Sequence, residues 1–383
     1  MDKNNKINWK TVFVIGGAFT AYCIGAGFSS GQEALQYFGT WGGAYPFILP
    51  LICFALVLVY CISNYKVGWT EQFENPNDAY NYYCGKKLGT VMNIFCNTVI
   101  ALTSLVMFAG SGATVNQYLG IPVWVGAVVM GIVSAFVVCL GLEKVTDVLG
   151  CAGVLIIIIM AIAGFYCFFT TPVGIVEAQQ HVLEYVDEGI FLQAQLFGIR
   201  HPIVSVLSYV GVSLSLIVVF NVALGSKCKN KKEVLASGIC SAVLFTIGLV
   251  MVLYTMLLNL DYIAEKRAQV PMLAAIEKVL PALALPFAIV IVVGIFTTIT
   301  GYLWAVGRRF AEDKTPKQRI VVIAMTAVGI SIGSLIPLDK LVNAVYPFTG
   351  IAGIIIFICI LVRELTRKKS TPPAETAPEN QVQ

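Results

Sequence analysis

Apolar residues fill ten windows of about 20 residues each, separated by polar or charged segments. A membrane-spanning helix needs about 20 mostly apolar residues to cross the hydrocarbon core of a bilayer. The pattern therefore predicts an all-α polytopic membrane protein with ten transmembrane helices. The windows cover residues 10–31, 42–63, 91–116, 122–141, 146–169, 203–225, 234–258, 283–306, 319–337 and 341–362.

Two long polar inserts divide the windows into similar halves. Residues 64–89 follow the second window and residues 259–284 follow the seventh; each insert has 26 residues, and they are offset by 195. Because each half has an odd number of windows, the second half starts from the opposite side of the membrane. This order favours a 5+5 inverted repeat, an architecture of secondary transporters. Chance agreement of loop lengths is the alternative, since the side chains of the two halves are little alike.

The distribution of Lys and Arg predicts the orientation. With the N-terminus inside, 20 of the 25 basic residues fall in cytoplasmic segments and 5 fall outside. Cytoplasmic loops of membrane proteins carry this excess. The bias predicts cytoplasmic N- and C-termini and an even number of spans, because one miscounted window would move the downstream loops to the other side.

Composition excludes a water-soluble domain, since 58% of the 383 residues are hydrophobic and only 12% are charged, against about a quarter charged in soluble proteins. The basic leader lacks a small-residue cleavage site, so the first window is expected to be retained. The expected organisation is a cytosolic N-terminus (1–9), a first five-helix repeat (10–169), an external loop (170–202), a second repeat (203–365) and a disordered cytosolic tail (366–383).

The first window is interrupted by "CIGAGFSSGQEA", residues 23–34. At 1.5 Å per residue, Gly25 and Gly27 lie roughly 22–26 Å beyond Lys10, at or past the midplane. Glycine costs about 1 kcal/mol in a helix interior, and unwound backbone inside a bilayer is tolerated only where it lines a cavity or a ligand. The stretch predicts a broken helix with a binding role. Close helix packing through small residues is the alternative.

Three other stretches carry polar groups at membrane depth. Thr297 and Thr298 in "GIFTTITGY" place two adjacent hydroxyls that could hold one cation or simply bond their own helix. Segment six, "LSYVGVSLSLIVVFNVALG", carries a weaker break signal around Gly211, with back-bonding serines as the alternative. Ser111 lies in "MFAGSGATVNQY", where close packing competes with a ligand role.

Glu33 is the acidic residue placed in the outer half of a membrane segment. An intramembrane carboxylate is by default a functional candidate. Its possible roles are a proton carrier, an ion ligand or half of an outer gate with Lys340; a solvated position in the external vestibule is the alternative.

His181 and His201 share the external loop and are expected to be surface residues, and the eleven cysteines lack metal-binding spacing.

Three motifs resemble the YkvI-like amino acid permeases. These are "IGAGFSSGQE" in the first window, "FAGSGATVNQYLGIPVWVG" in the third, and "GLEKVTDVLG" before the fifth. The resemblance covers residues 8–365. It implies membership of the amino acid–polyamine–organocation superfamily, whose members share the leucine-transporter-like fold with helices 1 and 6 discontinuous. Here "YVGVS" replaces the Y-x-S-Y-N pattern of segment six, so the resemblance does not indicate the substrate.

The resemblance also implies site residues. In sodium-coupled members, carbonyls at the first break and a Thr/Ser pair in helix eight bind Na⁺, while the break itself faces the solute. The matching ion-binding positions are Ala21, Ile24, Thr297 and Thr298. The predicted solute-binding residues are Gly25, Ala26, Gly27, Phe28, Ser29, Ser111, Tyr209, Gly211 and Ser213.

These observations predict a secondary active transporter of the bacterial plasma membrane, a Na⁺ or H⁺ symporter for an amino acid or related small solute. The expected partners are that solute and the lipid bilayer; no nucleic acid and no organic cofactor are expected, and no ATP-binding motif is present. A non-transporting receptor on the same fold is the main alternative. A passive channel is a further one, and an enzyme is disfavoured because no catalytic cluster occurs within the windows.

Overall fold

Helices account for nearly all of the backbone. The computed structural model describes residues 6–171, 174–196, 198–267, 270–336 and 338–366; it describes no side chain at residues 26, 113, 117–119, 153, 214 and 338–348. The helices are α1 (Trp9–Cys23), α2 (Ala26–Ser29), α3 (Gln32–Tyr37), α4 (Tyr45–Glu71), α5 (Ala79–Leu119), α6 (Val123–Cys139), α7 (Leu142–Thr170), α8 (Ile175–Ala178), α9 (Val182–Asp187), α10 (Pro202–Ser215), α11 (Val218–Gly225), α12 (Lys231–Leu257), α13 (Leu260–Lys266), α14 (Pro271–Val279), α15 (Ala284–Phe310), α16 (Pro316–Leu335) and α17 (Leu338–Thr366).

The prediction of an all-helical protein is confirmed. The following numbers of long helices refer to the described residues. Seven helices are long and apolar enough to cross a membrane, and the bent pair α10 and α11 adds an eighth. Two predicted windows yield shorter helices: α1 ends after 15 residues, and α6 has 17. The proposed tail beyond residue 366 lies outside the described residues, as do residues 1–5.

The two inserts are more helical than their polar composition suggests. α4 continues to Glu71, and α5 begins at Ala79 and passes a kink at Gly85, where φ is 74°. Within α4, the side-chain amide of Asn64 donates to the Tyr60 carbonyl one turn earlier at 2.8 Å, so this polar group finds a partner inside its own helix. The second insert contains α13 and α14. Apolar windows therefore mark the hydrocarbon-crossing part of each helix and not its full length.

α1 and α11 lie at the centre of the bundle. All eight residues of α11 are buried, and α1 packs against α7, α12 and α15. The peripheral helices instead expose large apolar side chains, such as Phe136 on α6 (65% exposed), Phe169 on α7 (78%) and Ile320 on α16 (67%). Apolar side chains this exposed on several helices are the expected surface of a protein solvated by lipid.

Side-chain caps fix the start of α1 and join it to α12. The Asn8 side chain accepts from the Lys10 and Thr11 amides at 3.1 and 3.4 Å, which satisfies donors that have no partner within the helix. The backbone amide of Asn8 donates to the Glu233 carboxylate at 3.0 Å. Glu233 is almost fully buried and also accepts from the Lys229 amide at 2.8 Å. The entry of α1 is thereby held against the start of α12.

Close backbone contact between α10 and α17 depends on two glycines. A Cβ on Gly353 would overlap the carbonyl group and Cα of Gly211. Backbone atoms cannot rotate away, so we expect Gly353→Ala to destabilise the fold by about 1–3 kcal/mol, the usual cost of overpacking. The measurement is the thermal unfolding of the purified protein in detergent.

The matched control for this substitution is Gly350→Ala on the same helix. Its Cβ would meet only side-chain atoms, the Ser208 hydroxyl at 3.1 Å and a Val212 methyl at 3.7 Å. Side chains can move by a few tenths of an ångström, so unfolding should be nearly unchanged. Equal stability of the two variants would contradict the proposed contact between Gly353 and Gly211.

Candidate functional site

The first helix is interrupted between α1 and α2. Ile24 adopts φ −83° and ψ 78°, outside the helical region, and the Gly25 amide bonds to the Cys23 carbonyl at 3.0 Å. The last carbonyls of a helix lack partners within it, and at membrane depth they need partners elsewhere in the protein. The interruption therefore leaves carbonyl oxygens inside the bundle that another group must satisfy.

Two buried threonines of α15 meet these carbonyls. The Thr297 hydroxyl lies 2.7 Å from the Ala21 carbonyl oxygen, and the Thr298 hydroxyl lies 3.1 Å from those of Tyr22 and Ile24. The side chains of both threonines are essentially unexposed. The four residues predicted to bind an ion, Ala21, Ile24, Thr297 and Thr298, are thus brought together.

Gly294, one turn earlier on α15, adds a carbonyl that the sequence did not single out. Its oxygen lies 2.8 Å from the Thr297 hydroxyl and 3.1 Å from that of Thr298. Gly294 also permits the close approach, because a Cβ there would lie 3.0 Å from the Ile24 oxygen. The available signal was the glycine three residues before the Thr pair in "GIFTTITGY".

The resulting group of oxygens has more acceptors than donors. Each hydroxyl supplies one proton, yet the two hydroxyls face carbonyls of Ala21, Tyr22, Ile24 and Gly294. The Gly294 carbonyl belongs to the continuous helix α15 and accepts an amide of that helix as well, but the carbonyls of Ala21, Tyr22 and Ile24 lie at the interruption, and two protons cannot satisfy three of them at once. A cation coordinated by hard oxygen ligands would use the surplus lone pairs. We refer to the Ala21, Ile24, Gly294, Thr297 and Thr298 oxygens as the oxygen cluster.

The residues that follow the break form a compact turn. The Ser29 hydroxyl donates to the Gly25 carbonyl at 2.8 Å. Gly25 faces Met107 of α5, whose sulfur lies 3.3 Å from where a Cβ would be. Phe28 is buried and packs against Phe245 at 5.5 Å between ring centroids. The side chain of Ala26 lies outside the described residues.

Glu33 folds back onto Gly27. A Cβ on Gly27 would overlap the Glu33 carboxylate, including Cδ at 2.7 Å and Cγ at 2.9 Å. Among the described residues no hydrogen-bond donor or basic group contacts that carboxylate. Glycine at position 27 is therefore the reason that an acidic side chain can lie directly against the break. The side chain of Lys340, the possible gate partner, lies outside the described residues.

A second interruption separates α10 from α11, whose axes differ by 65°. The Tyr22 hydroxyl donates to the carbonyl of Leu216 in this second interruption at 2.9 Å. The bond joins the two interruptions directly. Sequence reasoning missed Tyr22, because nothing in the chain indicates which distant carbonyl its hydroxyl reaches.

The other predicted solute-binding residues are distributed around this centre. Tyr209 is buried against Phe38 at 5.0 Å and Tyr37 at 5.3 Å between ring centroids. Ser213, one turn further along α10, is partly buried. Gly211 lies against α17, as described above. The structure thus brings Tyr209 to the end of α3 and Gly211 to a different helix face.

Ser111 lies on the face of α5 that packs against α6. Its hydroxyl donates to the Phe108 carbonyl at 2.8 Å, and its own carbonyl oxygen would lie 3.2 Å from a Cβ on Gly126. Met107 of α5, by contrast, lies against Gly25 at the break.

Aromatic side chains enclose the centre on two sides. An outer layer is formed by Phe28, Phe38, Tyr37, Tyr209 and Phe245. An inner layer is formed by Tyr22, Phe220 and Trp304; Tyr22 stacks on Phe220 at 4.8 Å, and Phe220 meets the Trp304 ring edge-on at 5.7 Å. Aromatic rings thus pack directly before the first interruption, at Tyr22, and directly after it, at Phe28. The names outer and inner follow the orientation predicted from the Lys and Arg bias.

The two histidines lie apart at the surface. His181 contacts Asp261 at 3.4 Å, and His201 accepts from the Ile203 amide at 3.2 Å. Within the described ranges no group of three His, Cys, Asp or Glu side chains is close enough to hold a metal ion.

No family model matches the chain. Two proteins of Bacillus subtilis strain 168 are similar along most of their length. Uncharacterized protein YyaD is 23% identical over 355 residues, which is 90% of this chain and 94% of YyaD. Uncharacterized membrane protein YkvI is 20% identical over 350 residues, 91% of this chain and 94% of YkvI.

Solved membrane transporters share the fold at low identity. MhsT in complex with L-phenylalanine has a TM-score of 0.68 and 12% identity, covering 92% of this chain and 88% of MhsT. A Na⁺-coupled sialic acid symporter has a TM-score of 0.61 and 12% identity, covering 92% and 79%. Mhp1, a nucleobase-cation-symport-1 transporter, has a TM-score of 0.57 and 12% identity, covering 96% and 83%. The chain is a multi-pass helical membrane protein with the fold of these transporters.

Proposed function

We propose that the protein is a secondary active transporter that couples the uptake of an amino acid or related small organic solute to Na⁺ or H⁺. The observation that carries the proposal is the oxygen cluster, in which the two hydroxyls of Thr297 and Thr298 face a surplus of carbonyls at a helix interruption. Proteins of the same fold support it, since one is a Na⁺-coupled sialic acid symporter, one is in complex with L-phenylalanine, and one has bromovinylhydantoin bound.

The proposed architecture has ten spans in two inverted sets of five. The first span consists of α1, α2 and α3, and the sixth consists of α10 and α11. The first set occupies residues 10–169, the external loop residues 170–202, and the second set residues 203–365. The Lys and Arg bias supports cytoplasmic termini in a bacterial plasma membrane.

Na⁺ is the proposed occupant of the oxygen cluster. Carbonyl oxygens of Ala21, Ile24 and Gly294 with the two threonine hydroxyls would provide five neutral ligands.

The solute is proposed to bind beside the Na⁺ ion, along Gly25, Ala26, Gly27, Phe28 and Ser29, with Tyr209, Gly211, Ser213 and Ser111 as further candidates.

Alternating access would move the two aromatic layers in opposite phases. The outer layer separates the break from the external loop, and the inner layer separates it from the cytoplasmic ends of α11 and α15. Opening one layer while the other stays closed exposes the centre to one side at a time. The Tyr22 to Leu216 hydrogen bond would keep the two interruptions in register during that movement.

The test is uptake of a labelled amino-acid panel into proteoliposomes with an imposed Na⁺ or H⁺ gradient. Accumulation against a concentration gradient supports the proposal. Binding without accumulation would overturn it in favour of a receptor. Accumulation driven by H⁺ and unaffected by Na⁺ would retain the transporter and overturn the sodium site.

Glu33 is proposed as a gate or proton site because its carboxylate lies against Gly27 without a basic partner among the described residues. Replacement Glu33→Gln preserves shape and removes the titratable group. We expect H⁺-driven uptake to disappear and the pH profile of the remaining Na⁺-driven uptake to flatten. Uptake by the variant across pH checks this expectation, and a wild-type profile would contradict it.

A further inference from the structure

A cavity of about 150 Å³ lies beyond the inner aromatic layer. Its walls come from the ends of α4, α11 and α15 and the start of α7, which is the side proposed to face the cytosol. Trp304 belongs both to the inner layer and to the wall of the cavity. A solute leaving the helix interruptions toward the cytosol would therefore enter this cavity next.

Arg308 is a buried charge in the cavity wall. Arg308 is only 8% exposed. Its guanidinium group donates to the backbone carbonyl of Ala311 at 3.4 Å and to that of Glu74. A guanidinium has five N–H donors, so about three remain for another partner. No carboxylate of the described residues forms an ion pair with it. A buried cation with unused donors is costly unless an anion reaches it.

Asp313 supplies the opposite charge in the same cavity. Its Oδ1 accepts from the Trp304 indole at 3.2 Å and the Gln318 amide at 2.8 Å, and its Oδ2 accepts from the Leu142 amide at 2.5 Å. These bonds fix the carboxylate in place but do not neutralise it, and about one of its four acceptor sites is left. Burial lowers the pKa of Lys227 below its usual value, and the charges of Asp147, Glu143 and Asp313 offset only part of that effect. Lys227 forms no ion pair with Asp313.

Arg308 and Asp313 thus present fixed opposite charges to one small cavity without pairing with each other. The rest of the wall includes Phe73, Val222 and Ala223, which suit a small apolar side chain. A cavity of about 150 Å³ holds a molecule the size of benzene, with about six non-hydrogen atoms. Alanine has the same number of such atoms, and its carboxylate and ammonium groups match the two charges.

We propose that this cavity is a second binding site for a small zwitterionic amino acid, with the carboxylate on Arg308 and the ammonium group on Asp313. Two N–H donors of a guanidinium fit one carboxylate side by side. The site would hold the solute after it passes the inner layer and before its release. Its place on the exit route and its amino-acid class rest on the proposed function; the charge pair and the cavity do not.

The experiment measures alanine binding to the Gly27→Leu protein in nanodiscs without Na⁺, where the central site is disabled. The readout is tryptophan fluorescence, with a Gly27→Leu/Trp304→Phe protein to isolate the Trp304 signal. We expect saturable alanine binding that weakens at least tenfold in Arg308→Gln. Arg308→Lys retains the charge but not the paired donors, so its affinity for alanine should lie between those of the parent protein and Arg308→Gln.

Two comparisons make the result specific. Arg309→Gln changes the net charge equally at the neighbouring residue, which does not line the cavity, and should leave alanine binding unchanged. Acetate and methylamine each meet only one of the two charges and should bind at least tenfold more weakly than alanine. Acetate or inorganic phosphate binding as tightly as alanine would overturn the zwitterion assignment in favour of a simple anion site.

The outcomes separate this proposal from the transport proposal. Wild-type uptake without any alanine binding to the Gly27→Leu protein would overturn the second site and leave the transporter intact. Alanine binding that depends on Arg308 in a protein that accumulates no solute would support the site and overturn transport. Equal alanine binding by Arg308→Gln and its parent would overturn the cavity site.

Discussion

Replacing Gly27 with leucine is expected to abolish solute uptake while leaving the protein folded and inserted in the membrane. Even a Cβ at this position would overlap the Glu33 carboxylate, and the larger side chain would displace α3 from α2. Rotation of Glu33 can make room for a Cβ alone, but leucine also fills the space between α2 and α3, and overpacking of that kind costs about 1–3 kcal/mol. Because this cost falls on the arrangement of α2 and α3 that is proposed to bind the solute, the affinity should fall roughly 5- to 150-fold. Solute binding and uptake in proteoliposomes are the measurements, with size-exclusion chromatography to verify folding.

Further variants test why Gly27→Leu loses uptake. Gly174→Leu, in the predicted external loop, is the matched control, because a Cβ there meets nothing within 4 Å among the described residues; it should transport normally. Gly27→Ala tests the contact itself: its effect on solute affinity should be smaller in a Glu33→Ala background, since the colliding atoms are gone. Normal transport by Gly27→Leu would refute a binding role for the interruption.

The sequence indicated the helix interruption and the threonine pair, but not the other groups that contact the interruption. Three glycines and two serines in an apolar window are unusual enough to indicate unwinding from local propensity alone. The Thr297 and Thr298 pair was a candidate cation site because of its two adjacent hydroxyls, and the resemblance to sodium-coupled transporters matched that pair to the carbonyls of the first break. That Gly294 adds an oxygen, and that Tyr22 reaches Leu216, depends on how α1, α11 and α15 cross in space.

Glycines show why site residues were harder to predict than helices. Gly25 and Gly211 look alike in sequence, since both follow an apolar run with serines nearby. Gly25 lies at the break and faces Met107, whereas Gly211 lies against the backbone of α17. Whether a small residue accommodates a ligand or another helix is decided by the element packed against it, which local sequence does not specify.

The aromatic layers were not predicted for the same reason. Tyr22, Phe220 and Trp304 lie far apart in the sequence, and each is an ordinary residue for an apolar window. They meet because α1, α11 and α15 meet. Ten windows and their charge bias indicated a transporter-like bundle, but not the residues that close it on either side of the break.

Removing the Thr298 hydroxyl is expected to weaken Na⁺ dependence selectively. Thr298→Ala deletes the oxygen that lies 3.1 Å from the carbonyls of Tyr22, Ile24 and Gly294. An interaction with a charged group contributes about 1.5–3 kcal/mol, so the Na⁺ concentration for half-maximal uptake should rise roughly 10- to 150-fold. Solute affinity at saturating Na⁺ should change little, because the hydroxyl faces the carbonyls and not the residues after the break.

Thr300→Ala is the matched control for this prediction. Thr300 is also buried in α15, but its hydroxyl donates only to the Phe296 carbonyl of its own helix, at 2.7 Å. Both variants lose one buried hydroxyl from one helix, and alanine favours the helix in each case. A general loss of packing or stability would therefore affect both equally. A rise in the Na⁺ requirement confined to Thr298→Ala would place the ion at the interruption; an equal rise in both, or none, would remove Na⁺ from the oxygen cluster.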